Sequence, residues 1–291
     1  MEHKISKVGI LTDGTSCIPA EFVDKYKIYL IPMTIIFQGK SYRDGVDLSA
    51  NEVYRIMREK KALPTTSTPS TGDFLTAFQQ LSARVDSILC ITLSKHLSKT
   101  YETAITARDM AKHLLPAVNI QVVDSKTAAG ALGLIVMGTA RAINGGASLE
   151  EAVRSSGKLV GSVHLLAILD TLYYLARGGR IGRAAAWAGA LLDFKPVVEL
   201  SASTGEVMPV CRPRTKTKAI EQMLSVMKQR VKDSNVHVIV HHADEPQLAE
   251  ALKEKISSSF KCAELYITEF TPLMGIHTGP GLLAVSFYKE N

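Results

Sequence analysis

Residues Pro64 to Thr71 read Pro-Thr-Thr-Ser-Thr-Pro-Ser-Thr, and six of these eight side chains carry a hydroxyl. Hydroxyls so dense can hold a carboxylate or another anion by hydrogen bonding, without a metal. Two prolines stop the stretch from continuing as a helix or a central strand. An amphipathic segment, Gly72 to Leu81, follows. A rigid loop therefore feeds a helix N-terminus, where backbone N–H groups are free to bind an anion. Capping accounts for one or two of the hydroxyls, with Ser70 as the cap and Asp73 three residues on. Capping and anion binding both stand as readings of this segment.

Three further segments carry groups able to do chemistry. Leu93-Ser94-Lys95-His96-Leu97-Ser98-Lys99-Thr100 ends an apolar run and opens a helical pattern. Ser98 reads as the N-cap, which leaves Ser94 at the strand exit to face a ligand crevice or simply solvent. Gly275 to Gly281 (Gly-Ile-His-Thr-Gly-Pro-Gly) reads as a glycine-rich loop between two strands. His277 in such a loop could donate to a carboxylate or carbonyl. Arg177-Gly178-Gly179-Arg180 could hold a phosphate, or could be a helix C-cap and a surface turn.

Other chemistries find no footing. The chain has no G-x-S-x-G elbow, no G-x-x-x-x-G-K-[ST] loop, and no G-x-G-x-x-G after the first strand. Asp13, Asp124 and Asp170 are scattered without paired-carboxylate spacing. Cys17, Cys90, Cys211 and Cys262 form no C-x-x-C, and no Cys/His cluster has zinc-ligand spacing, so no metal is expected. A reduced cytoplasm is the simplest setting. No apolar run is long enough to span a bilayer, and no signal-peptide pattern opens the chain. The net charge of +6 suits an acidic partner or an anionic membrane. Its even spread gives no nucleic-acid signature.

The elements that must position these groups alternate between strand and helix in the first half. Strands are expected at Val8–Leu11, within Ile28 to Phe37, at Ser87–Leu93 and at Ile120–Val123. Capping boxes at Ser49–Glu52 and Ser148–Glu151 open helices, and Ala128 to Ile143 reads as a helix buried on every side. Such alternation implies a parallel sheet with ligands beyond its C-terminal strand ends. The second half reads differently. A strand at Ser162–Leu169 precedes a short helix at Asp170–Ala176, the arginine-glycine interruption and an alanine-rich helix. A hairpin at Lys195–Cys211 follows, then helices at Thr215–Val231 and Glu245–Ser257 among three more strands. The expected architecture is α/β in two domains: residues 1–160 with a parallel sheet, and 161–291 as an α+β layer.

Taken together, these motifs resemble the DegV family of bacterial fatty-acid-binding proteins over essentially the whole chain. The resemblance is carried by Thr12-Asp13-Gly14-Thr15-Ser16, Thr66-Ser67-Thr68-Pro69-Ser70, the 93–100 loop with Tyr101, and Asp124-Ser125. Leu172 to Ile181, Lys195-Pro196 and His277-Thr278-Gly279-Pro280-Gly281 complete it. The chain departs from the family pattern at Gly14, Thr68, Lys95 and Lys99, which stand where serine, glutamine, serine and glycine are usual.

The resemblance implies a ligand tunnel between the two domains and a carrier without catalysis of its own or cofactor. The carrier would present a long-chain fatty acid to a fatty acid kinase, which forms an acyl-phosphate for phospholipid synthesis. A membrane surface would be a transient partner. The fatty acid carboxyl would meet Thr66, Ser94 and His277, with Ser98 and Ser67 as alternatives, and Arg177 and Arg180 would face the phosphate or the kinase. The acyl chain would run into the apolar surface of the second domain. A 16-carbon chain could contribute on the order of 10 kcal/mol at about 0.8 kcal/mol per CH₂, before ordering costs. Two other functions fit the same residues: a hydrolase or acyltransferase using Ser94 and His277, and a lipid-sensing regulator.

Overall fold

The computed structural model describes residues 7–59, 63–187 and 194–290. In chain order, β1 (Val8–Asp13) leads through α1 (Ala20–Tyr26) to β2 (Tyr29–Ile31), and β3 (Thr34–Phe37) turns into β4 (Lys40–Arg43). Then come α2 (Ala50–Glu59), β5 (Thr65–Ser67), α3 (Thr71–Ser82), β6 (Ser87–Thr92), α4 (Thr100–Leu114) and β7 (Asn119–Asp124). Two helices, α5 (Ala129–Asn144) and α6 (Leu149–Val160), lead to β8 (His164–Ile168) and α7 (Tyr173–Arg177). The chain closes with β9 (Val197–Leu200), β10 (Val207–Cys211), α8 (Lys216–Val231), β11 (Val236–His242), α9 (Pro246–Ser259), β12 (Cys262–Glu269), α10 (Pro272–Thr278) and β13 (Leu283–Lys289).

Three sheets result. The first is fully parallel, in the order β2-β1-β6-β7. The second has six strands in the order β10-β9-β8-β13-β11-β12, with only β11 and β12 parallel. The third is a small antiparallel sheet, β4-β3-β5. Its hairpin turns on Gln38 and Gly39, both at positive φ, which matches the twist of two antiparallel strands.

Apolar residues stack these sheets into layers. One cluster fills the space between the parallel sheet and α3 and α4. Another lies between the six-stranded sheet and α8 and α9. The largest draws on both sheets and on α5. Helix α5 is buried along most of its length, as its all-round apolar pattern requires. Two of its glycines allow close approach by different elements. A Cβ on Gly130 would strike the His241 ring of β11, and one on Gly133 would strike the Ser16 carbonyl.

The structure redraws several sequence expectations. The run from Ile28 to Phe37 splits into β2 and β3, in different sheets, because Pro32 has no N–H for a ladder. Thr65 to Ser67, expected as loop, is the strand β5, paired with β3 through Ile35 and Thr66. His277 lies in the last turn of a helix, α10, and not in a loop. Thr271 caps that helix and Pro272 begins it, a start signal that the following glycines masked. The short helix expected from Asp170 starts later, at Tyr173. The expected alanine-rich helix is a 3-10 turn over Gly182–Trp187, and its continuation lies outside the described residues. Among the described residues no helix is long and apolar enough to cross a membrane.

Candidate functional site

The parallel sheet, the small sheet and the six-stranded sheet meet at a cavity of about 310 Å³. Its apolar wall follows from strand periodicity. Leu165, Ala167 and Leu169 are alternate residues along β8 and its exit, so their side chains share one face. Val198 and Leu200 of β9 extend that face, and Val207 and Leu282 border it. Phe270, Leu273 and Met274 come from the start of α10, and Met33, Leu93 and Leu97 from the first half.

The polar lining is grouped. Thr66, Ser67 and Thr68 come from β5 and its exit, and Ser98 and Lys99 from the turn before α4. Arg180, His277 and Thr278 join them, and Glu199 of β9 adds a carboxylate to the lining. Thr66 Oγ1 and His277 Nε2 are hydrogen-bonded at 2.8 Å. Arg180 Nε donates to the Leu97 carbonyl at 3.0 Å, which ties the arginine to the 93–99 segment. A second cavity, of about 270 Å³, adjoins the first and shares Thr66, Arg180 and His277 with it. Arg177, Tyr174, Thr65 and Gly178 line that second space. The Thr66–His277 pair and Arg180 thus stand between an apolar chamber and a polar one.

Helix α10 reaches this position through tight contacts along its length. Asp44, in the turn after β4, accepts the Leu273 N–H at 2.9 Å. A Cβ on Gly275 would lie 2.4 Å from the Tyr54 ring of α2, so that helix can pack only where glycine stands. Gly279 ends α10 at φ 83°, against the Tyr174 ring, a conformation that glycine adopts without strain.

Burial sets the protonation of these groups. His277 is pushed down to about 4, first by desolvation and then by the Arg180 charge, so its ring is neutral at neutral pH. Asp44 is pushed up to about 6 by burial, against the opposing Leu273 amide and nearby Thr271 hydroxyl. Asp13 is also raised by burial, opposed by hydrogen bonds from Thr15 and Leu93. Its Oδ2 accepts the Leu93 N–H at 2.8 Å and so fixes where the 93–99 segment leaves β6.

The structure brings Thr66, Ser67, Ser98, Arg180 and His277 to one cavity and places Arg177 at the adjoining one. It does not bring Ser94 there. Ser94 is fully buried; its hydroxyl donates to the Gly205 carbonyl at 3.0 Å and accepts the His96 N–H at 3.2 Å. The expected division of labour in this turn is therefore reversed. Lys99 occupies the N-cap position of α4 without a side-chain cap bond; Ser98 lines the cavity while its hydroxyl also accepts the Thr100 N–H at 3.4 Å and pairs with Thr100 Oγ1 at 2.8 Å, and Ser94 holds the β9–β10 turn. Ser70 does cap α3, reciprocally with Asp73, so that helix start is already occupied by its own side chains. Thr68, one of the six hydroxyls of the 64–71 segment, and Lys99, noticed in the sequence only as a departure from a pattern, are part of the lining. Among the described residues no group of three or more His, Cys, Asp or Glu side chains could hold a metal ion.

The model of the family described as "Uncharacterised protein, DegV family" matches residues 7–290. The chain belongs to the DegV family. A DegV domain-containing protein of Clostridium acetobutylicum is 34% identical over 284 residues, covering 97% of this chain and 98% of the relative. Among solved structures, a DegV family protein from Thermus thermophilus, described for its fatty acid binding, superposes with a TM-score of 0.90 at 28% identity. That match covers 98% of this chain and 100% of the other. A stearic-acid-binding protein from Eubacterium ventriosum superposes with a TM-score of 0.89 at 26% identity, covering 97% and 98% of the two chains. The DegV fold therefore extends over the whole described chain, and both of these neighbours are described as binding a fatty acid.

Proposed function

We propose that this DegV protein binds a long-chain fatty acid and presents its carboxyl group to a fatty acid kinase, which phosphorylates it to an acyl-phosphate for phospholipid synthesis. The observation that carries the reading is the 2.8 Å Thr66–His277 pair at the polar border of a mostly apolar cavity. A carboxylate taken from water needs hydrogen-bond donors. A neutral His277 with its proton on Nε2 donates to Thr66 Oγ1 and leaves the threonine hydrogen free for the ligand. Ser98, when Thr100 Oγ1 is the donor of their 2.8 Å hydrogen bond, is a second donor, and Ser67 becomes a third by turning from the Thr68 carbonyl to the ligand. In this reading residues 1–160 supply the hydroxyl-bearing segments and residues 161–291 most of the acyl-chain wall. The phosphoryl group enters the polar chamber, beside Arg177 and Arg180. ATP, metal and catalysis belong to the kinase; the carrier works in the cytoplasm and meets a membrane surface only to exchange lipid.

A serine hydrolase or acyltransferase gains no support from the placement of Ser94, whose hydroxyl is engaged by Gly205 and His96. The test has two stages. Mass spectrometry of the natively purified protein, then of its denatured extract, should reveal a near-stoichiometric fatty acid. Incubated with ATP, Mg²⁺ and a bacterial fatty acid kinase, the loaded protein should yield acyl-phosphate, and neither partner should do so alone. An empty protein overturns the binding reading. A loaded protein inert with kinases but active alone on acyl esters overturns the carrier reading; one inert in both assays leaves the lipid-sensing reading.

A further inference from the structure

Thr66 sits on β5 and His277 on α10, and a hydrogen bond survives only if these two elements keep their spacing to within a few tenths of an ångström. One buried carboxylate joins the sheet of the first to the helix of the second. Asp44 leaves β4, which pairs with β3, which pairs with β5. Its backbone N–H donates to the Met33 carbonyl at 2.8 Å, just before β3 begins. Its Oδ1 accepts the Leu273 N–H at 2.9 Å, in the first turn of α10. Leu273 and His277 are one turn apart, so they share a face of the helix, and both line the acyl cavity. Asp44 is only 6% exposed, and among the described residues no hydrogen bond of good geometry reaches its Oδ2. Solvent does not compete for the carboxylate, and its side-chain partners, the Leu273 N–H and the nearby Thr271 hydroxyl, both belong to the start of α10.

We propose that Asp44 is the positioning residue of the head-group pair. By fixing the first turn of α10 to the small sheet it sets the Thr66–His277 hydrogen bond, and with it the seat of the ligand's carboxyl. The last clause rests on the fatty-acid reading, while the setting of the pair does not. The required feature is an acceptor at the Oδ1 position, so asparagine suffices, whereas alanine, or a serine too short to reach, does not.

The test uses ring-¹⁵N-histidine spectra of the full chain and the ¹³C signal of palmitate labelled at its carboxyl carbon. Thr66→Val breaks the pair directly and defines the shifted positions of both signals. In Asp44→Ala, folded by circular dichroism, the His277 and carboxyl signals should move toward those positions. In Asp44→Asn both should stay at the wild-type positions. Should Asp44→Ala not fold, Asp44→Ser takes its place. The proposal is overturned if folded Asp44→Ala leaves both signals unmoved, or if Asp44→Asn moves them as far as Thr66→Val does. If palmitate gives no bound carboxyl signal in the wild-type protein, the fatty-acid reading fails and the His277 signal still judges Asp44.

Discussion

Thr66 Oγ1 lies 2.8 Å from His277 Nε2, although 211 positions separate the two residues in the chain. The bond closes the polar border of the apolar cavity and connects the small sheet to α10. Thr66→Val keeps the shape of the side chain and removes its hydroxyl. A hydrogen bond to a charged group is worth about 1.5–3 kcal/mol. The rate of acyl-phosphate formation with a kinase should therefore fall roughly 10- to 100-fold. Bound lipid, held mainly by its tail, should change far less. Fatty acid recovered per protein and turnover with the kinase, measured on one preparation, separate the two effects. Equal loss of both would place the carboxyl elsewhere.

Ser94 and Ser98 should behave oppositely. Removing the Ser94 hydroxyl leaves the carbonyl of Gly205, a buried residue, without that donor. The expected cost is about 1–3 kcal/mol of stability, seen as a lower midpoint in urea unfolding. Ser98→Ala, which loses the bonds to Thr100 at the start of α4, should lower the midpoint less than Ser94→Ala does and weaken presentation of the carboxyl to the kinase. A normal midpoint in Ser94→Ala combined with lost phosphorylation would return the ligand contact to Ser94.

Much of the scaffold is legible from local pattern, and the departures have physical causes. Apolar runs marked β1, β6 and β7, reciprocal Ser–acid pairs marked the starts of α2, α3 and α6, and the all-apolar helix is α5. Strand β5 escaped because its residues, Thr65 to Ser67, are polar and flanked by prolines; only pairing with β3 makes them a strand. Thr66 and His277 stood out by residue type and by family resemblance, yet no sequence spacing could supply their contact. The role of Ser94 depends on Gly205, 111 positions away, and that of Asp44 on Leu273, 229 positions away. Such tertiary partners leave no local trace.

Asp44 also predicts a pH response. In the folded protein it holds its proton up to about pH 6, while the unfolded chain releases it near the ordinary value of 3.8. Its contribution to stability is therefore greatest below that ordinary value and is lost as pH rises to about 6. The buried histidines act in the opposite sense. His277 and His164 are pushed down to about 4 and His241 to about 3, so their contribution is lost as pH falls below 6.5. Wild-type stability is thus partly compensated in mild acid. Asp44→Asn removes a cost on the order of 3 kcal/mol at neutral pH. Its Tm should exceed the wild-type value by several degrees at pH 7.5, and the gain should shrink steadily toward pH 4.5. Calorimetry across that range checks both statements; a gain independent of pH would mean that Asp44 does not titrate as its burial requires.

Ala167 offers a way to read the path of the acyl chain. It sits in the middle of the β8 row that lines the cavity, between Leu165 and Leu169, and pairs across the sheet with Val198 and Ala284. A larger side chain there projects into the cavity, because alternate residues of β8 share that face. Ala167→Phe should shift the fatty acids recovered from the protein toward shorter chains, and Ala167→Val should do so to a smaller degree. Each CH₂ excluded from the cavity forfeits about 0.8 kcal/mol, so losing two lowers affinity for the long chain roughly tenfold or more. Presentation of a short-chain acid that still fits should remain intact, since Thr66 and His277 are untouched. Mass spectrometry of extracted lipid and competition between long and short acids give the comparison. An unchanged chain-length profile in a folded Ala167→Phe protein would show that the acyl chain does not run along β8.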